Sequence, residues 1–336
     1  MLARVDSVAL HKLAGFAAQR APRRVAAGIV TVGASIASLL AGDRRVIVER
    51  NLERASGTTL TGSQRAWAVA RTFAGYGRYY LDSFRLPSLD ADEIDAGFAF
   101  SGYEHIENAM AAGTAPILVL PHLGGWEWAA FWLTKVHGLK VSAVVEPLDP
   151  PELFEWFKEF RESLGMEIIA VGPGAGPAVA AALADGSIVC LLSDRVVADS
   201  SAVPVTFLGE QTLLPAGPAA LSLRTGAPLL PVAVYFEDDL HFAEVRPPID
   251  TERTGSFRRD VERVTQLIAN ELERLIRKAP EQWHVLQPGW PSDYRALGRP
   301  IPEAMRDLEV SAAGSADVSA AAPGRDAGMS AGSADE

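Results

Sequence analysis

Short, continuous apolar runs alternate along this chain with longer stretches in which apolar residues recur every three or four positions. The first kind of run predicts strands buried on both faces of a sheet, the second predicts helices that cover it. Strands are expected at Ile117–Leu120, Lys140–Val145, Glu167–Val171 and Ile188–Leu192, with helices between them at Trp126–Val136, Pro151–Leu164 and Ala178–Ala184. Upstream, Trp67, Val69, Phe73, Tyr76, Tyr80 and Leu81 place a core helix over Gln64–Phe84, ended by Pro87, and Ser101–Ala112 predicts a short helix closed by Gly113. This alternation predicts an α/β protein, a single domain with a mostly parallel central sheet flanked by helices, preceded by an N-terminal helical region. The expected divisions are a basic and apolar region over 1–60, the α/β domain over 61–300, and a tail over 310–336 rich in Ala, Gly and Ser. That tail has almost no large apolar residue to bury, so it is expected to be disordered.

One junction between a strand and a helix carries more chemistry than the others. The run Ile117–Leu120 stops at Pro121, which cannot donate to a sheet ladder, so His122 follows directly on a strand end. Gly124 and Gly125 free the backbone to turn, and Glu127 falls in the first turn of the next helix, where a carboxylate suits the helix dipole. On one unbroken helix, five residues would set His122 and Glu127 roughly 140° apart. A glycine turn removes that obstacle, and Glu127 could then fix the imidazole tautomer and leave the other ring nitrogen as a base. The alternative is a satisfied strand-end histidine beside a helix-capping acid, and the spacing alone leaves both open.

Charge changes the picture at the N-terminus. The whole chain carries a formal charge of −11, which disfavours nucleic acid as a partner. Residues 1–54 nevertheless hold nine Lys and Arg side chains against four acidic ones. Among those arginines runs Val25–Gly42, uncharged but diluted by Gly28, Thr31, Gly33, Ser35 and Ser38. As a helix it would be about 27 Å long, just short of a ~30 Å hydrocarbon core. Three readings stay open for it: a helix packed on the domain, a helix lying in a membrane interface, and a membrane span. Flanking arginines are what an anionic membrane surface attracts. The single cysteine, Cys190, lies within the Ile188–Leu192 strand and is expected to be buried and inert, in a reducing compartment.

Other polar residues also follow strands. Glu146 ends the second predicted strand and Ser193-Asp194-Arg195 follows the fourth, which is where ligands gather in open α/β sheets. Asp194 and Arg195 could form a structural ion pair or hold a polar substrate. Arg161, on the helix before Gly165, could be a surface salt-bridge partner or an anion ligand. From Val205 to Ala220 a loop framed by proline and glycine is expected to open a small-residue helix at Gly217, either as a tight packing turn or with free N–H groups for a phosphate. There is no G-x-S-x-G elbow and no Walker loop, Gly172–Pro177 reads as a loop, and no histidine pair has zinc spacing, so no metal or cofactor is expected.

The runs RYYLDSFRLP (78–87), PHLGGWE (121–127), VVEPLDPPELFEWFKEFRESLGMEI (144–168), CLLSDR (190–195), VTFLGE (205–210), LLPAGPAALSLRTGAPLLPV (213–232) and PEQWHVLQPGW (280–290) together resemble the phosphatidylinositol mannoside acyltransferases. That family is related to the late lipid A acyltransferases within the lysophospholipid acyltransferase superfamily. The resemblance covers roughly residues 10–295 and implies transfer of an acyl chain from acyl-CoA, as co-substrate, to a mannose hydroxyl of a membrane glycolipid. It implies a peripheral enzyme on the cytoplasmic face of the cell membrane. His122 matches the family's catalytic histidine and Glu127 its acidic partner, with Glu where mannoside enzymes usually have Asp. Arg161, Asp194 and Arg195 match polar positions that line the family's groove. The family's GNWD-like turn is GGWE here, and Pro204 stands where relatives tend to carry an acid. Two other readings are carried with it: an acyltransferase for a lipid A precursor or lysophospholipid, and a non-catalytic lipid-binding protein.

Overall fold

The computed structural model describes residues 7–197 and 200–308. The tail expected over 310–336 therefore lies outside the described residues. Three helices come first, α1 (Ser7–Arg20), α2 (Arg23–Leu40) and α3 (Asp43–Ser56), followed by the long α4 (Gly62–Arg85) and the short α5 (Ala91–Ala96). The α/β part then runs β1 (Phe98–Ser101), α6 (Glu104–Ala111), β2 (Ile117–Leu120), α7 (Trp126–Phe131), β3 (Val141–Val145), α8 (Pro151–Ser163), β4 (Met166–Ala170), α9 (Ala175–Ala184) and β5 (Ile188–Leu192). It closes with β6 (Ala202–Phe207), β7 (Glu210–Pro215), α10 (Gly217–Thr225), β8 (Leu229–Glu237), β9 (Leu240–Val245), α11 (Phe257–Lys278) and α12 (Pro291–Ala296).

Seven strands form one sheet in the order β1-β9-β8-β2-β5-β3-β4, and every neighbouring pair is parallel except the β8–β9 hairpin. The fold is thus the α/β domain with a mostly parallel sheet that the alternation predicts. β2 lies at its centre and is buried at all four positions. Its side chains alternate between two cores: Ile117 and Val119 pack with α9, α10 and α11, Leu118 and Leu120 with α6 and α7. A strand covered on both faces has no solvated side to mark with polar residues, which is why it reads as an unbroken apolar run. On α11 the helical spacing of Val261, Val264, Ile268, Leu272, Leu275 and Ile276 supplies one covering face.

The structure departs from the sequence expectations in three places. Val205–Gly209 is no loop but the end of β6 and its tight turn into β7, with Leu208 and Gly209 at positive φ. Gly172–Pro177 is only half loop, since α9 starts at Ala175 and Pro177 occupies its first turn, where a missing N–H costs nothing. Helix α7 changes after Phe131 into one wider turn over Trp132–Val136.

The Val25–Gly42 stretch forms α2, which packs one side on α4. A Cβ on Gly77 would come within 2.5 Å of Val30 Cγ1 and 3.7 Å of Ala34 Cβ, so the two helices meet closely through small residues. α3 is tied to the C-terminal segment by a buried charge cluster. Asp293, wholly buried, accepts from Arg50 Nε at 2.7 Å and Arg54 Nη2 at 2.5 Å, while Arg54 also reaches Glu210 at 2.7 Å.

Candidate active site

β2 and β5 are in parallel register, with Leu120 level with Leu192, and the Ser193 N–H donates to the Leu120 carbonyl at 2.8 Å. Two residues beyond each strand, His122 and Asp194 therefore stand side by side at the carboxyl edge of the sheet. One Asp194 carboxylate holds His122 twice: Oδ1 lies 2.5 Å from the ring Nδ1, and Oδ2 accepts the His122 backbone N–H at 2.7 Å. Trp283 Nε1 donates to the same Oδ2 at 2.7 Å, and the His284 N–H donates to the His122 carbonyl, also at 2.7 Å. Asp194 is almost fully buried. Burial alone would raise its carboxyl pKa, but the neighbouring His122 and the Trp283 N–H hold it below the usual carboxylate range. An ionised carboxylate only accepts, so Nδ1 carries a proton, and in the neutral ring Nε2 is the nitrogen left to accept. The His122 side chain remains 25% exposed, enough for a substrate to meet it.

This corrects the expectation that Glu127 orients the imidazole. The glycine turn is present, with Gly124 at φ +57°, but it is pinned down onto β8. The Gly125 N–H donates to the Val234 carbonyl at 3.0 Å, and a Cβ on Gly124 would lie 1.8 Å from that same oxygen. So fixed, the turn starts α7 at Trp126 and sends Glu127 into the protein, where it is 2% exposed. There its Oε1 accepts from Arg161 Nε at 2.7 Å and Nη2 at 2.6 Å. The Arg161 guanidinium sits between the rings of Phe157 and Trp126, at 5.3 and 5.8 Å. Burial acts to lower the pKa of Arg161, but the charge and hydrogen bond of Glu127 together with Tyr79 outweigh it and the net shift is upward. Tyr79, buried beside this pair, has its hydroxyl pKa pushed well up by burial and then by Glu127.

The remaining expected site residues divide. Arg195 and Glu146, at the ends of β5 and β3, come together through an Nη2–Oε2 contact of 2.6 Å, and both stay partly exposed. Gly217 opens α10, where a Cβ would meet only open space, and among the described contacts none joins it to His122 or Asp194. No group of three or more His, Cys, Asp or Glu side chains is placed to hold a metal ion among the described residues.

Three further residues at or beneath the site come from distant parts of the chain and were not singled out as site residues from the sequence. Trp283 and His284 lie far along the chain and reach the site because residues 280–284 run antiparallel to the turn after β2, bridging at Leu123 and Trp283. The His284 ring is buried against Tyr76, with centroids 5.4 Å apart, and its pKa is pushed down to about 3 by burial, with the charge of His122 adding to the effect. His241, on β9, lies under Gly125 and stacks on Trp128 at 4.2 Å. Its Nε2 is 3.4 Å from Asp82 Oδ2 but not aligned for a hydrogen bond.

A histidine held through Nδ1 by a buried acid and partly exposed at the carboxyl end of a parallel sheet is the equipment of an α/β enzyme that activates a hydroxyl as a nucleophile. A model of the bacterial lipid A biosynthesis acyltransferases matches residues 8–292, and this chain belongs to that family and is an acyltransferase. Among curated proteins it is similar to the phosphatidylinositol mannoside acyltransferase of Mycolicibacterium smegmatis, 35% identical over 275 residues that cover 81% of this chain and 87% of that protein. The enzyme of the same name from Mycobacterium tuberculosis is 36% identical over 232 residues, 67% of this chain and 71% of that protein.

Proposed function

We propose that this acyltransferase moves a fatty acyl chain from acyl-CoA to a mannose hydroxyl of a phosphatidylinositol mannoside glycolipid. The observation that carries the chemistry is the double hold of Asp194 on His122, which leaves Nε2 as the base. Nε2 takes the proton of the acceptor hydroxyl as that oxygen attacks the thioester carbonyl. The new C–O bond forms, the C–S bond breaks, and the imidazolium returns its proton to the leaving thiolate, so coenzyme A departs as the thiol. Asp194 stabilises the imidazolium throughout. Glu127 and Arg161 act together as a buried ion pair that fixes the floor under the glycine turn, and Arg195 with Glu146 forms a polar rim for the substrates. The acceptor class is supported by the names of the two mycobacterial relatives. Because the acceptor is a bilayer lipid and the donor a cytosolic thioester, the enzyme works peripherally at the cytoplasmic face of the cell membrane, on an anionic surface.

The test is incubation of purified protein with labelled palmitoyl-CoA and candidate glycolipids, with mass analysis of the product. An acylated mannoside with release of free thiol is expected. Product formed only on a lysophospholipid or a lipid A precursor would replace the acceptor. His122→Ala is expected to reduce transfer by at least ~10², the lower end for a positioned general base. Near-normal turnover in that variant would remove His122 from the mechanism.

A further inference from the structure

Helix α2 has two faces with different company. Ala26, Val30, Ala34 and Ser38, four apart along the helix, face the protein and are buried or partly so, with Val30 and Ala34 meeting α4 at Gly77. On the opposite side Val25, Ile29, Val32, Ile36, Leu39 and Leu40 are exposed, each by more than half of its surface. These positions share one face of the helix, so they form a continuous apolar stripe about as long as α2 itself. Soluble surfaces do not normally present six large aliphatic residues in a row, and such a stripe marks a contact site. Exposed Leu13 and Phe16 on α1 add to the apolar surface of this end of the chain.

The charge around the stripe identifies its partner. From Ser7 to Gly42 the chain contains no Asp or Glu, yet it holds Lys12, Arg20, Arg23 and Arg24, in a protein whose total is −11. Lys12, Arg20 and Arg24 are exposed, whereas Arg23 is engaged with Asp239 at 3.5 Å and pins the start of α2 to the β8–β9 turn. An uninterrupted apolar stripe with cations and no acid matches the interface of an anionic bilayer: acyl chains take the stripe and phosphates meet the cations.

We infer that α2 lies in the plane of an anionic membrane, its Val25–Leu40 stripe sunk into the interface, and that this face seats the enzyme on its lipid acceptor. The helix does not span. Spanning would require it to leave α4 along the whole Ala26–Ser38 face and to break the Arg23–Asp239 link. The inference rests on the reading that the acceptor is a membrane lipid, and it names the surface that reaches it.

The full-length protein is tested by co-sedimentation with vesicles of phosphatidylcholine alone and of phosphatidylcholine mixed with phosphatidylglycerol. Binding to the anionic vesicles is expected. The triple variant Ile29→Glu/Val32→Glu/Ile36→Glu should lose at least ~10²-fold in partitioning, since each large apolar side chain contributes on the order of tenfold. Turnover of a water-soluble mannoside by this variant should stay normal, with an unchanged melting temperature. That arm separates a failure of docking from a failure of the acyltransferase reading. A fluorophore placed at Ile29→Cys or at Ile36→Cys should report the same depth, and buried Cys190 is the single native thiol. Undiminished vesicle binding by the triple variant would overturn the inference, as would a depth gradient between the two positions. So would a wild-type dimer in solution that the variant abolishes while vesicle binding persists, because the stripe would then belong to a second copy of the chain.

Discussion

Asp194→Asn is the substitution that separates the observed site from a site built on Glu127. Two donors, the His122 backbone N–H and Trp283 Nε1, point at Oδ2 of Asp194 at 2.7 Å each. An asparagine must therefore set its carbonyl oxygen on that side, which leaves its NH2 facing His122 Nδ1, now 2.5 Å from Oδ1. A donor there requires Nδ1 to accept, so the ring proton moves to Nε2, the nitrogen that in the proposed mechanism receives the proton of the acceptor hydroxyl. The substitution also removes a negative charge from beside the imidazolium of the transition state. With charge centres about 4 Å apart and an effective dielectric near 20, that charge contributes roughly 4 kcal/mol. The expected fall in kcat is then on the order of 10³.

The assay is thiol release from palmitoyl-CoA in the presence of acceptor mannoside, with kcat and KM measured separately and the melting temperature recorded. The loss should fall on kcat. Both donors at the former Oδ2 stay satisfied, so the melting temperature should change little. Glu127→Gln is expected to behave differently, because it strips the counter-charge from a buried guanidinium at Arg161 and so lowers the melting temperature. Near-normal kcat in Asp194→Asn would refute the assignment of Asp194 as the orienting acid.

Two other outcomes follow from the same neighbourhood. Gly124→Ala puts a methyl group 1.8 Å from the Val234 carbonyl at φ +57°, so the turn must leave β8; loss of folding or a fall in stability of at least ~3 kcal/mol is expected in urea unfolding. His284, buried and neutral with its pKa pushed down to about 3, takes a proton more readily when unfolded, so its contribution is present above pH ~6.5 and is lost as pH falls from there toward 3. Between pH 7 and pH 5 this group should cost the wild type about 2 kcal/mol of unfolding free energy, a loss that His284→Phe should lack; parallel pH slopes for the two proteins would contradict it.

Much of the architecture was legible from the sequence because its signals are local. A buried parallel strand such as Ile188–Leu192 is apolar at every position whatever its neighbours are, and α8 keeps its helical spacing in any packing. The β6–β7 hairpin was not legible, because only Gly209 of its two turn residues carries a turn signal, while Leu208, also at positive φ, carries none. Strand order was beyond reach as well, since the placement of β8 and β9 between β1 and β2 rests on contacts across the fold.

The same division explains the site. His122, Asp194, Arg195 and Glu146 were legible because each directly follows a strand, and strand ends of a parallel sheet share one edge. Which acid meets the imidazole was not, because the answer depends on sheet order. Glu127 is nearest in sequence, yet the turn that brings it close is locked onto β8 and the carboxylate is claimed by Arg161, 34 residues away. Asp194 is 72 residues from His122, yet the register of β5 on β2 places it opposite. A short spacing therefore predicts contact only where the intervening turn has nothing else to bond to. Here the buried Val234 carbonyl of β8, past the end of the β2–β8 pairing, took that turn, and the partner of the imidazole was settled by the sheet.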